Sequence, residues 1–120
     1  MAIKSRSSSG ILTIYFVDTK LLDESKMQQV NRELTELLDK TDEENVILDF
    51  RRIEFMSSAM LGKLVQIHKR CKEYKVKLKL CNISAEIRKV FKITKLDKLF
   101  EIYDDEDAAR AAFSKRGWFG

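Results

Sequence analysis

Proline is absent from this 120-residue chain, glycine is scarce with four residues, and histidine and tryptophan occur once each. The missing proline is compatible with any of the common folds and decides nothing. The glycine shortage decides more. A phosphate cradle needs several glycines at set spacing so that the backbone can approach the phosphate, and Gly10, Gly62, Gly117 and Gly120 form no such array. Nucleotide hydrolysis and hydride-transfer cofactors of the usual kinds are therefore not expected. With one histidine and two cysteines, the chain falls one short of the four ligands of a structural zinc site. No metal and no cofactor is expected. Neither charge dominates: 23 basic and 19 acidic side chains leave a formal +4, weaker than the footprint of a dedicated nucleic-acid binder. No uncharged apolar run approaches the roughly 20 residues that cross a bilayer. The opening MAIKSRSSSG also lacks the apolar core of a signal peptide. Cytoplasmic residence without membrane contact is the expectation.

What is present suits one soluble domain: 44% apolar residues for a core and 35% charged residues for a surface. Residues 1–9 read as a flexible arm, 10–114 as the domain and 115–120 as a tail, where Trp118 and Phe119 either dock or hang free. Between the ends the hydrophobic period switches repeatedly. Ile11 to Val17 is β-branched and aromatic, so it reads as a strand. Asp23 opens a helical pattern in which Met27, Val30, Leu34, Leu37 and Leu38 share a face. Val46 to Phe50 is the apolar run of a central strand. A second helix opens near Ser57-Ser58 and buries Leu61, Leu64, Val65, His68 and Cys71. Val76 to Leu80 alternates strictly, which predicts a strand with one wet face. A third helix spans about Ser84 to Ile93, burying Ile87, Val90 and Phe91. Phe100 to Tyr103 is a short strand, and Asp104 or Asp105 caps a last helix carrying Ala108, Ala109, Ala112 and Phe113. Strand-helix alternation of this kind predicts an α/β fold, a mostly parallel sheet of about four strands with about four helices.

The residue types that carry chemistry are thinly spread. Nucleophilic catalysis wants Ser or Cys beside an oriented base. His68, the one histidine, lies on an apolar stripe one turn after Leu64 and reads as a packed side chain. Cys71 and Cys81 read as reduced, mostly buried thiols. The carboxylates of Asp42-Glu43-Glu44 and Asp104-Asp105-Glu106-Asp107 sit where loops or helix N-termini fall, and there acid favours the dipole. Lys69, Arg70, Lys72, Lys75, Lys77 and Lys79 lack the interleaved aromatics of a single-strand binder and read as a solvated basic surface. An enzyme is not expected.

The segment Ile53-Glu54-Phe55-Met56-Ser57-Ser58-Ala59-Met60-Leu61-Gly62 stands out. Ser57 or Ser58 lies at the helix start, where a hydroxyl can accept from an orphan backbone N–H. Gly62, one turn inside, weakens the helix by roughly 1 kcal/mol, and such a glycine marks close packing or a functional approach.

A strand reading VILDF followed by FMSSAMLGKL resembles the STAS domain of anti-sigma-factor antagonists. The usual pattern there is a strand ending in Asp-Leu/Phe, then Phe-x-Asp-Ser-Ser/Ala-Gly-Leu-Gly. Downstream, VKLKLCNIS and EIRKVFKITKLDKLFEIYDDEDAA are similar to the family's later elements, so the resemblance covers about residues 10 to 113. Matching Phe55, Leu61 and Gly62 puts the family's phosphorylated serine on Ser58. Ser57 replaces the family's acidic residue, and Met60 replaces its glycine, either packing inward or reshaping the partner surface.

The resemblance implies a phosphorylation-switched binding module rather than a catalyst. Its partner would be an anti-sigma factor that is also a GHKL-type serine kinase, with a PP2C-like phosphatase as the reset and transcription as the output. It implies Ser58 as the phosphoacceptor, a partner surface of Ser57, Ser58, Met60 and Lys63 with Asp23 at its border, and no direct contact with nucleic acid. It also leaves open a phospho-independent scaffold subunit of a signalling or lipid-transport assembly, with Ser58 only a helix cap.

Overall fold

The computed structural model describes the backbone of residues 2–119 and the side chains of residues 2–114. Strand β1 (Ile3–Ser8) turns into β2 (Ile11–Phe16), and the short β3 (Lys20–Leu21) leads to helix α1 (Glu24–Lys40). Then come β4 (Asn45–Asp49), the short β5 (Phe55–Met56), α2 (Ser58–Glu73), β6 (Lys77–Cys81) and α3 (Ala85–Ile93). A 3-10 turn at Leu96–Lys98, β7 (Glu101–Tyr103) and α4 (Glu106–Phe119) complete the order. The main sheet runs β1-β2-β4-β6-β7, and β3 pairs with β5 in a separate two-stranded sheet. Within the main sheet only β1–β2 is antiparallel; β2–β4, β4–β6 and β6–β7 are parallel.

Period-2 alternation decides which side chains meet which layer. Leu12, Ile14 and Phe16 of β2, Val46 and Leu48 of β4, and Leu78 and Leu80 of β6 enter one core with α1, α2 and α3. Helix α1 contributes Met27, Val30, Leu34 and Leu38, and α3 contributes Ile87 and Phe91. Fully burying each such side chain contributes about 1.5–3 kcal/mol. Ile11, Ile47 and Cys81 point to the opposite face, where Ala109 and Phe113 of α4 cover them.

Five expectations are corrected here. Residues 1–9 are not an arm throughout: Ile3–Ser8 pairs along its whole length with β2, and brings the main sheet, expected at about four strands, to five. Ser9 and Gly10, both at positive φ, make the two-residue turn whose twist suits such a hairpin. The wet face expected of β6 is covered, because α4 lies across it. Lys79 is 1% exposed, its Nζ 2.9 Å from Glu101 and above the rings of Phe113 (4.7 Å) and Tyr103 (5.3 Å). The stripe of α2 is rotated from the expected one, with Met60 and Ile67 buried and Val65 and His68 only partly so. Val90 is exposed on α3 rather than buried. The expected tail falls within α4 as far as Phe119, and the side chains of Trp118 and Phe119 lie outside the described residues.

Candidate functional site

At the carboxyl end of β4 the chain must leave a buried strand and start α2. Asp49, 1% exposed, accepts from the backbone N–H of Arg51 at 2.9 Å and from Nδ2 of Asn82 at 3.0 Å. Its other oxygen takes the Arg51 guanidinium at 2.7 and 3.0 Å. Hydrogen bonding to Asp49 and its charge raise the Arg51 pKa above its ordinary value. The same guanidinium lies 3.4 Å from Glu106 of α4 and over the ring of Tyr15. Glu106 also accepts from the Tyr15 hydroxyl and from Arg110 Nε, both at 2.9 Å. Burial pushes the Glu106 carboxyl up, but the bonds from Arg110 and Tyr15 outweigh it and hold the pKa below the usual value. The turn after β4 is thereby tied to the sheet and to α4.

The next residues are braced from the other side. The backbone N–H groups of Glu54 and Phe55 both donate to the Thr19 carbonyl, β3 and β5 pair Lys20 with Phe55 and Leu21 with Met56, and the Ser57 N–H donates to Leu21. Ser57 has extended backbone and is the N-cap of α2. Its Oγ accepts from the Met60 N–H at 3.2 Å and donates to Sδ of Met27 at 3.0 Å. That second bond seats the start of α2 against the first turn of α1. Between the two candidate caps, Ser57 is the one used.

Ser58, the first residue of the helix, is exposed, and no hydrogen bond to its hydroxyl occurs among the described residues. Gly62 is also exposed and lies one turn on, the spacing that puts two positions on one face. A Cβ added at Gly62 would meet nothing within 4 Å. Of the two readings of this glycine, close packing within the domain is removed. Leu22 and Phe55, each 53% exposed, adjoin the helix start through the β3–β5 pairing, and Lys20 Nζ lies 5.7 Å from the Phe55 ring centroid.

The other expected site residues divide. Asp23 is exposed as the N-cap of α1, makes no side-chain cap bond and accepts from the Ser25 hydroxyl at 2.9 Å. The Ser57–Met27 contact brings it to the same end of the molecule. Lys63 is half-buried on the flank toward α1, the flank on which Arg70, two turns on, pairs with Asp39. Met60 is 0% exposed. Its expected place on the exposed side is corrected: the third position of the helix turns inward beneath the cap, and of its two readings inward packing holds. The sequence reading missed Leu22 and Phe55 as surface groups, because apolar residues beside strands read as core; no signal in the sequence separates the two.

Away from this end, His68 packs edge-on against Phe100 at 5.2 Å, with Nδ1 buried and unbonded. Burial and the charge of Lys72 lower its pKa. Burial raises the thiols of Cys71 and Cys81 to about 11 and about 12. Among the described residues no group of three His, Cys, Asp or Glu is placed to hold a metal, and no helix is long and apolar enough to cross a membrane.

An α/β layer with a braced strand-to-helix turn presenting serine is the frame of a STAS domain, and the family model of that domain matches residues 2–109. The chain belongs to the STAS family. BtrV of Bordetella bronchiseptica, which carries an anti-sigma factor antagonist's name, is 30% identical over 93 residues, covering 78% of this chain and 79% of that protein. An anti-sigma-factor antagonist (STAS) domain protein from Planctomyces limnophilus superposes with a TM-score of 0.80 at 25% identity, over 93% of this chain and 98% of that one. The phosphorylated form of the Bacillus cell-fate determinant SpoIIAA shares the fold, with a TM-score of 0.68 at 20% identity over 92% and 99% of the two chains.

Proposed function

We propose that the chain is an anti-sigma factor antagonist whose partner surface is centred on Ser58 and is switched by phosphorylation there. The observation that carries this reading is the contrast between neighbouring serines: the hydroxyl of Ser57 is consumed by capping and by Met27, while Ser58 is exposed and its hydroxyl is unbonded among the described residues. A kinase needs a hydroxyl it can reach. Gly62 offers bare backbone beside it, and Leu22 and Phe55 supply the apolar area a partner would cover.

Phosphate adds about −1.5 to −2 charges. At the first position of a helix that charge is favoured by the macrodipole, and the first turn of α2 contains no acidic residue to oppose it. The modified domain stays folded. What changes is the surface: a charge appears next to Leu22 and Phe55, and a partner that covers them must strip its water. Binding ends for that local reason. The partner is an anti-sigma factor; in the finer form of the proposal it is a GHKL-type serine kinase that modifies Ser58, and a PP2C-like phosphatase restores the hydroxyl.

The test is incubation with the cognate kinase and ATP, followed by site mapping by mass spectrometry. Phosphate on Ser58, absent in Ser58→Ala, is expected. Phosphate on Ser7, Ser8 or Ser25 with none on Ser58 refutes the assignment. A Ser58→Asp variant that holds the partner as tightly as wild type refutes the consequence. In the scaffold reading, a partner covers Leu22 and Phe55 whether or not Ser58 is modified. Full retention of such a partner by Ser58→Asp, with loss on Phe55→Ser, selects that reading.

A further inference from the structure

A second surface runs along α3 toward the far end of the molecule from Ser58. Helices α2 and α3 both start at the carboxyl ends of parallel strands, so the end of α3 and the turn that feeds β7 gather at the amino ends. There Ile93 is 80% exposed and Leu99 39%. Residues 85–99 hold five basic side chains (Arg88, Lys89, Lys92, Lys95, Lys98) against Glu86 and Asp97, and so +3 of the chain's formal +4. Arg88 pairs with Asp104 and Lys89 lies 4.0 Å from Glu86. Lys92, Lys95 and Lys98 have no carboxylate partner among the described residues. Beside them runs a groove of about 520 Å³ between α3 and β7, lined by Ala85, Arg88, Lys89, Lys92, Asp97 and Ile102.

We infer that this groove and the crest beside it dock an acidic, leucine-bearing segment of a partner protein. Charge decides the sign of the segment, since a net +3 over residues 85–99, with three lysines lacking a carboxylate partner among the described residues, gains from any carboxylate placed there. Shape decides the class. A bilayer is flat and cannot line a groove, and a membrane-seated helix needs a broad apolar face, whereas on α3 Ile87 and Phe91 are already buried and only Val90 and Ile93 remain exposed. A narrow chain with carboxylates over Lys89 and Lys92 and apolar side chains against Ile93 and Ile102 fits both features. Because Lys92, Ile93, Lys95 and Lys98, at the end of α3 and in the turn after it, lie at the opposite end of the sheet from the start of α2, the segment binds whether or not Ser58 is modified.

The experiment titrates the isotope-labelled chain with a short amidated peptide of glutamates carrying leucine at every fourth position, read by amide shifts. Saturable shifts confined to residues 85–102 are expected, with equal affinity in Ser58→Asp. Reversing Lys89 and Lys92 together to glutamate, both being exposed, should weaken binding about tenfold or more, and Ile93→Ser about threefold. The same peptide with lysine for glutamate should not bind. Absence of saturable shifts, shifts centred on Ser58, equal binding of the lysine peptide, or indifference to the charge reversal overturns the proposal. So does a response of these amides to phosphatidylglycerol vesicles but not to the peptide, or a dimerisation of the free chain that hides them.

Discussion

Gly62→Ala puts the site geometry to a test with two readouts of opposite sign. Glycine inside an exposed helix is about 1 kcal/mol less favourable than alanine, and the new methyl would meet nothing within 4 Å. The isolated domain should therefore gain roughly 0.5–1 kcal/mol. With a urea m-value of about 1–3 kcal/mol/M, the midpoint rises by a few tenths of a molar. The same methyl stands on the exposed stripe one turn from Ser58, where a partner would approach bare backbone. Overfilling a packed contact costs about 1–3 kcal/mol, so affinity for the partner should fall between about fivefold and a hundredfold. Urea denaturation followed by circular dichroism, and calorimetry with the partner, give the two numbers. Lower stability would mean that something packs on Gly62 within the domain. Higher stability with unchanged affinity would place the partner surface elsewhere and remove the reason for a glycine at this position.

The paired serines should separate cleanly: Ser57→Ala loses a cap and costs about 1 kcal/mol, while Ser58→Ala stays within about 0.5 kcal/mol in the same denaturation assay. Equal costs would contradict the capping assignment. Met60→Ala, at a position fully buried beneath the cap, should cost about 2–5 kcal/mol; a loss below about 0.5 kcal/mol would show that the side chain is not in the core. Glu106 has a folded pKa below its ordinary 4.5. Its ionised form therefore stabilises the fold above that value, and the contribution fades as pH falls through the lower folded pKa. Glu106→Gln should cost about 1–3 kcal/mol at neutral pH and flatten the acid limb of a stability–pH curve. A variant curve running parallel to wild type through the acid range would refute the coupling.

The α/β class, the helix order and the serine turn were legible because each rests on a period or a cap, and both are local. What lay hidden depends on which layer arrives from elsewhere. The β6 alternation marks two faces, but nothing in Val76 to Leu80 says that α4 will lie across the lysine face; the aromatic rings that receive Lys79 belong to residues 103 and 113. Strand β1 was unreadable for a related reason. As an edge strand it buries only Ile3, so Lys4 to Ser8 needs no apolar alternation, and the Ser9-Gly10 turn was the one hint of a hairpin.

Ser57 and Ser58 show where chemistry ends and position begins. The two side chains are identical, and the sequence left the cap open between them. One residue of backbone separates their fates. At the N-cap the extended conformation folds Oγ back onto the helix's own N–H, so the hydroxyl is spent holding α2 to α1. At the next position the chain is already helical, and the side chain leaves the axis toward solvent. Had the helix started one residue later, Ser58 would have been the cap and Met60 would have turned by about 100° out of the core. The inward packing of Met60 and the freedom of the Ser58 hydroxyl are thus one choice of register. A large side chain where the family pattern has glycine holds that register rather than disturbing the surface, since any slip would expose it.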